Sequence, residues 1–174
     1  MGNGGNATQF NTGVNNNAPH AGLDGLTQFL RGFVVAMNHY TLAEMTPGLT
    51  EEFTVTVTPE MMDAFRAITG DVSPIHIDAD YARGRGFPGR VVYGMLGASF
   101  FSTLAGVYLP GEHCLLHGVE CKFAKPIFIG DTLTVKGTVV GVSEIGSEAE
   151  IKAVITNQDG KRVTRGIIKA GLAK

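Results

Sequence analysis

The run from Val91 to Tyr108 sets the tightest limit on how this chain can fold. It is predicted as one helix, and it is apolar on nearly every side, through Val91, Val92, Met95, Leu96, Ala98, Phe100, Phe101, Leu104 and Val107. A helix without a polar face must be covered all round. Its 18 residues just reach membrane-spanning length. Gly94, Gly97 and Gly106, with Ser99, Ser102 and Thr103, interrupt it, and no second span follows, so no membrane span is expected. The expected cover is a sheet wrapped around the helix, completed by a second subunit.

The flanking sequence supplies that sheet. Phe53, Val55 and Val57 alternate with Thr54 and Thr56, the pattern of a half-buried strand. Thr58 and Pro59 then form the start of a helix, as cap and first helical residue. Met61, Met62, Phe65 and Ile68 give it an apolar face, and Gly70 ends it. Four further strands are predicted near Cys114–Phe123, Thr132–Val142, Glu148–Thr156 and Arg162–Ala170. Gly130-Asp131, Gly146-Ser147 and Gln158-Asp159-Gly160 mark the turns between the last three and before them. The sum is an α+β domain: an antiparallel, curled sheet around a long central helix.

The N-terminal part reads differently. Its first 25 residues hold six Gly and six Asn, with Asp24 as the only charge. Residues 1–22 are expected to be a disordered tail. It has neither the apolar run of a secretory signal nor the arginines of a mitochondrial presequence, and Asn6 stands where a myristoylation signal needs Ser or Thr. Within 23–50, Leu23, Leu26, Leu30, Phe33, Val34 and Met37 recur at helical spacing and predict a short amphipathic helix, followed by a linker. It packs on its own domain or dimer mate, or docks a partner. The sheet domain then spans 51–174.

Charge and cysteines narrow the class. A net charge of −2 gives no support to a nucleic-acid partner. Cys114 and Cys121 are seven apart on one predicted strand, so they should point to opposite faces and stay unbridged. A reducing compartment is expected, the cytoplasm or an organelle matrix.

Asp71 and His76 are candidate catalytic residues, held on the irregular stretch Gly70-Asp71-Val72-Ser73-Pro74-Ile75-His76. A carboxylate and an imidazole converging on one water can move its protons in both directions. The plainer reading makes Asp71 a turn former and His76 a core residue. No metal is expected. Asp78 is better placed as a helix cap than as a ligand beside His76 and Asp80. Glu112, His113, Cys114 and His117 match no structural zinc spacing. Gly84-Arg85-Gly86-Phe87-Pro88-Gly89 fits G-x-G-x-x-G in letters only, because no strand precedes it. Arg83, Arg85 and Arg90 are either solvated loop residues or phosphate contacts.

At these residues the sequence resembles the MaoC-like, (R)-specific enoyl-CoA hydratases. Gly70 to His76 is similar to their motif G-D-x-N-P-x-H. Arg90-Val91-Val92-Tyr93-Gly94-Met95 resembles the start of their central helix, and Phe123 to Thr132 their F-x-x-P-[VI]-x-x-G-D segment. The resemblance runs from about Glu51 to Leu172. It implies a hot-dog fold, a homodimer, and reversible hydration of a trans-2-enoyl thioester to the (3R)-3-hydroxyacyl thioester. The substrate would be carried on CoA or acyl carrier protein, and no cofactor is implied. His76 would be the general base, and Asp71 would position the water and share in proton transfer. The backbone N–H of Gly94 would bind the thioester oxygen. Ser102 matches a serine of the family's active-site region. Met95 on the central helix, with Phe87 and Pro88, would wall the acyl chain, and Arg85 and Arg90 would meet carrier phosphate.

Two residues depart from the pattern. Ser73 stands where the family has Asn, and Tyr93 where it usually has His. Both touch the supports of the site and bear on substrate scope. A hot-dog thioesterase and a non-catalytic acyl-CoA-binding or assembly subunit are the competing readings.

Overall fold

The computed structural model describes residues 36–173, so the expectations for the tail at 1–22 and for Leu23, Leu26, Leu30, Phe33 and Val34 lie outside the described residues. Met37, the last residue of that stripe, is exposed and not helical. The chain around it is drawn into backbone bonds instead: Asn38 N–H donates to Val107 O, Tyr40 N–H to Pro110 O, and Glu112 N–H to Asn38 O. Met45 is 1% exposed within the core. The described part of the expected linker thus packs with the sheet domain.

The order of elements is β1 (Thr50–Thr56), α1 (Pro59–Thr69), α2 (Pro74–Ile77), α3 (Ala79–Gly84), α4 (Gly94–Thr103), a π-helical turn (Leu104–Tyr108), β2 (Cys114–Phe123), β3 (Thr132–Ser143), β4 (Glu148–Thr156) and β5 (Arg162–Leu172). The strands form one antiparallel sheet in the order β1-β3-β4-β5-β2. Local chemistry fixes the short elements as expected. Thr58 accepts from Met61 N–H at the start of α1, and Asp78 Oδ1 accepts from Asp80 and Tyr81 N–H at the start of α3.

The sheet can hold the helix because its concave face is small in the middle. Gly137, Ala153, Gly166 and Cys121 pair directly across β3, β4, β5 and β2. A Cβ on Gly137 would come within 2.9 Å of Leu104, and one on Gly166 would strike Glu120 O and the Phe101 ring. Phe101 and Leu104 are themselves 0% exposed. Larger residues flank this row, such as Leu133, Val135, Ile151 and Ile155, all 0% exposed. Side chains of this kind contribute about 1.5–3 kcal/mol each when fully buried.

The central helix is shorter than predicted. Val91 and Val92 are extended, because Val91 N–H donates to Ile75 O and Val92 N–H to Ile127 O. Nor is the helix covered all round within one chain: Met95, Ser99 and Ser102 lie exposed along one face. No helix among the described residues is long and apolar enough to cross a membrane.

The cysteines correct a second expectation. A bulge between Leu116 and Gly118 inserts His117 and reverses the parity of β2. Cys114 and Cys121 therefore both pack against the core, and both are free thiols. Burial raises the Cys114 pKa above its ordinary value.

Candidate active site

The site is built where α2, the start of α4 and the chain after β2 meet. Gly70 leaves α1, and Asp71 Oδ1 accepts from Ser73 N–H, which turns the chain into α2. His76 N–H donates to Ser73 O. The His76 ring is then fixed from both sides. Its Nδ1 lies 2.7 Å from Val91 O, and its ring packs on Tyr93 with centroids 4.1 Å apart. A carbonyl oxygen only accepts, so Nδ1 carries the proton. In the tautomer that this contact selects, Nε2 is the nitrogen without a proton.

The loop is braced by Arg90. Its Nε donates to His76 O at 2.7 Å, and its Nη2 lies 3.7 Å from Asp63 Oδ1. Arg90, expected as a solvated loop residue or a phosphate contact, is thus placed against the backbone of the histidine loop through its Nε. The expected brace, Ser73, makes no capping bond with its side chain. Tyr93 ties in the other candidate: its hydroxyl donates to Asp71 O at 2.8 Å. Burial raises the Tyr93 pKa above the usual phenol value, and the Asp71 carboxylate adds to the effect.

A cleft of roughly 340 Å³ opens beside His76. His76, Val91, Val92, Gly94, the segment from Phe123 to Ile127, and Thr164 line it. Gly94 is the first residue of α4, where N–H groups lie outside the intrahelical ladder and the dipole favours negative charge. A Cβ there would press on the Phe123 ring at 3.3 Å. The cleft thus offers a base, a set of N–H donors and an apolar wall.

Not every expected residue reaches it. The Asp71 carboxylate is exposed and does not line the cleft. Phe87 packs toward Phe128 with centroids 6.4 Å apart, and neither it nor Pro88 forms the wall. Met95 and Ser102 are exposed on the helix outside the cleft. Arg85 stacks on the Tyr81 ring and donates to its hydroxyl. The wall comes instead from Phe123 to Ile127, and the cation beside the cleft is Lys125.

Thr164 went unnoticed in the sequence. It belongs to a cross-sheet row, Phe53–Val135–Ile155–Thr164–Phe123, that is otherwise apolar. It is 1% exposed, and its hydroxyl has no partner among the described residues. A lone hydroxyl at an inward strand position was the available signal.

A family model for the MaoC like domain matches residues 42–161. The chain is 35% identical over 103 residues to an (R)-specific enoyl-CoA hydratase of Aeromonas caviae, covering 59% of this chain and 77% of that protein. It is 30% identical over 110 residues to a mitochondrial 3-hydroxyacyl-acyl-carrier-protein dehydratase of Arabidopsis thaliana, covering 62% of this chain and 65% of the relative. Among solved structures, the R-hydratase PhaJ1 of Pseudomonas aeruginosa superimposes with a TM-score of 0.74 at 28% identity, covering 78% of this chain and 87% of that one.

Proposed function

The chain belongs to the MaoC-like domain family, with its hot-dog fold and its hydratase and dehydratase relatives, and on that premise we propose that it adds water reversibly to trans-2-enoyl-CoA, giving (3R)-3-hydroxyacyl-CoA. The observation that carries this reading is the state of His76. Val91 O holds its Nδ1 proton, Nε2 is free, and the ring lines the same cleft as the N-terminus of α4.

In the proposed reaction Nε2 of His76 takes a proton from water as the water oxygen bonds to C3. The C2–C3 π pair moves toward C2 and the thioester oxygen. That oxygen gains charge where the Gly94 N–H and the helix dipole stabilise it. The Asp71 carboxylate stands outside the cleft of the single chain, so its proposed part in positioning the water and sharing in proton transfer rests on the motif it shares with His76; a proton returned to C2 completes the addition. Dehydration runs the same steps backwards. Phe123, Pro126 and Ile127 wall the acyl chain, and Lys125 suits a carrier phosphate.

The proposed enzyme is a homodimer joined through β2. That strand pairs only with β5, and its other edge is free among the described residues. Leu115, Leu116, Val119 and Phe123 stay exposed on it. A ten-residue open edge that carries these apolar side chains invites pairing with a second copy.

The test is loss of the enoyl thioester absorbance of crotonyl-CoA, with chiral analysis of the product. Formation of (3R)-3-hydroxybutyryl-CoA supports the reading. Release of free CoA without hydroxyacyl product would mark a thioesterase instead.

A further inference from the structure

We propose that His39, Glu112 and His113 form a binding site for one divalent transition-metal ion of the zinc, nickel or copper class. The three residues stand apart from the cleft and play no part in the reaction assigned to it. One ligand atom from each lies within 4.8 Å of the others. His39 Nδ1 already meets Glu112 Oε2 at 2.6 Å, and the two imidazole centroids are 6.5 Å apart. Two imidazoles on one zinc ion, at Zn–N distances of about 2.0–2.1 Å, hold their centroids about 5–6 Å apart. Small side-chain rotations therefore suffice to close the set.

The backbone brings these residues together and keeps them there. His39 and Gly111 form an antiparallel bridge. Glu112 N–H donates to Asn38 O at 2.9 Å, Tyr40 N–H to Pro110 O at 3.1 Å, and the Asn38 side-chain amide to Tyr108 O at 2.9 Å. Asn38 O sits so close to Gly111 that no Cβ would fit there. The site is thus two short backbone segments, locked side by side, that each present imidazole or carboxylate donors. Two imidazoles and a carboxylate are a donor set that suits borderline metals and leaves a coordination position for water. On binding, the ion takes the place of the proton between His39 Nδ1 and Glu112, and in the neutral ring that proton moves to the other nitrogen, Nε2.

Neither neighbouring candidate joins the set. Cys114 turns to the core, and the His117 ring pairs with Glu148 Oε2 at 2.7 Å. An ion here acts as a clasp. It ties the segment at Asn38–Tyr40 to the turn that leads into β2, the strand assigned to the dimer edge.

The experiment is isothermal titration of the full chain with Zn2+, repeated with His39→Ala and His113→Ala. Expected are one ion per chain, a Kd of about 10 μM or tighter, and a loss of at least about tenfold in each variant. Saturating Zn2+ should raise Tm by about 4 °C or more in the wild type and not in His39→Ala. Co2+ should give visible d–d bands without a thiolate charge-transfer band. Both imidazoles are exposed at the surface, so the variants should fold, and circular dichroism checks this; His39→Gln serves as a second variant. Unchanged Zn2+ affinity in His39→Ala, a Kd weaker than about 1 mM, or a thiolate band would overturn the proposal. Hydration of crotonyl-CoA should be the same with and without the ion, so this test stands apart from that of the proposed function.

Discussion

His76 Nδ1 and the carbonyl oxygen of Val91 lie 2.7 Å apart, and this contact decides which ring nitrogen is free to act. The geometry depends on how firmly the loop is held. Arg90, one residue before Val91, supplies that hold by donating to His76 O.

Arg90→Ala should therefore lower kcat roughly tenfold or more while KM stays within about twofold, because the base is displaced and no substrate contact is lost. Arg90→Lys should recover part of the rate, since an ammonium can still donate one bond but lacks the rigid fork. Steady-state rates with crotonyl-CoA measure both. A rise in KM alone would return Arg90 to the role of a phosphate contact.

Tyr93→Phe removes the bond to Asp71 O and keeps the ring against His76. It should cost about 1 kcal/mol in urea unfolding at pH 8 and lower kcat by about five- to twentyfold through a looser Asp71. The raised Tyr93 pKa has a definite sign. Its contribution to stability is complete below the ordinary phenol value of 10.0 and fades as pH rises through the higher folded value. The variant should lose less stability than wild type between pH 9 and 11.

Thr164→Val should separate stability from binding. Replacing an unpaired buried hydroxyl with a methyl of the same shape should stabilise the fold by about 1 kcal/mol. If the hydroxyl is kept for a polar group of the substrate, KM should rise about threefold to tenfold at the same time. Denaturant unfolding and Michaelis curves on one preparation check both. A gain in stability with unchanged KM would make Thr164 a bystander.

Light scattering should give the mass of two chains. Glu residues placed at Leu116 and Val119 on the open β2 edge should shift the protein toward monomer and reduce activity with it. A wild-type monomer with full activity would contradict the assigned edge.

Much of the fold was legible in the sequence because it is written in short-range patterns. The alternation of Ala149, Ile151, Ala153 and Ile155 and the caps at Thr58 and Asp78 each act within a few residues. What escaped notice depends on partners distant in the chain. The bond from Arg90 to His76 O has no sequence signal, because its acceptor is a backbone carbonyl. The bulge at His117 reversed the facing of Cys121, and Gly118 beside it was the available signal. Thr164 is flanked by Val163 and Arg165, so simple alternation does not single it out. His39 joins Glu112 and His113 only through the bridge to Gly111. In the site itself, His76 and Gly94 line one cleft, whose apolar wall is the segment from Phe123 to Ile127 and not Phe87 and Pro88.

The most direct test is the initial rate of crotonyl-CoA hydration, with product chirality, for wild type, His76→Ala and Asp71→Ala, each shown to be folded by circular dichroism. The expected result is (3R)-3-hydroxybutyryl-CoA from the wild type and a kcat at least about 10²-fold lower in each variant. Near-wild-type turnover in His76→Ala would contradict the assignment of the base.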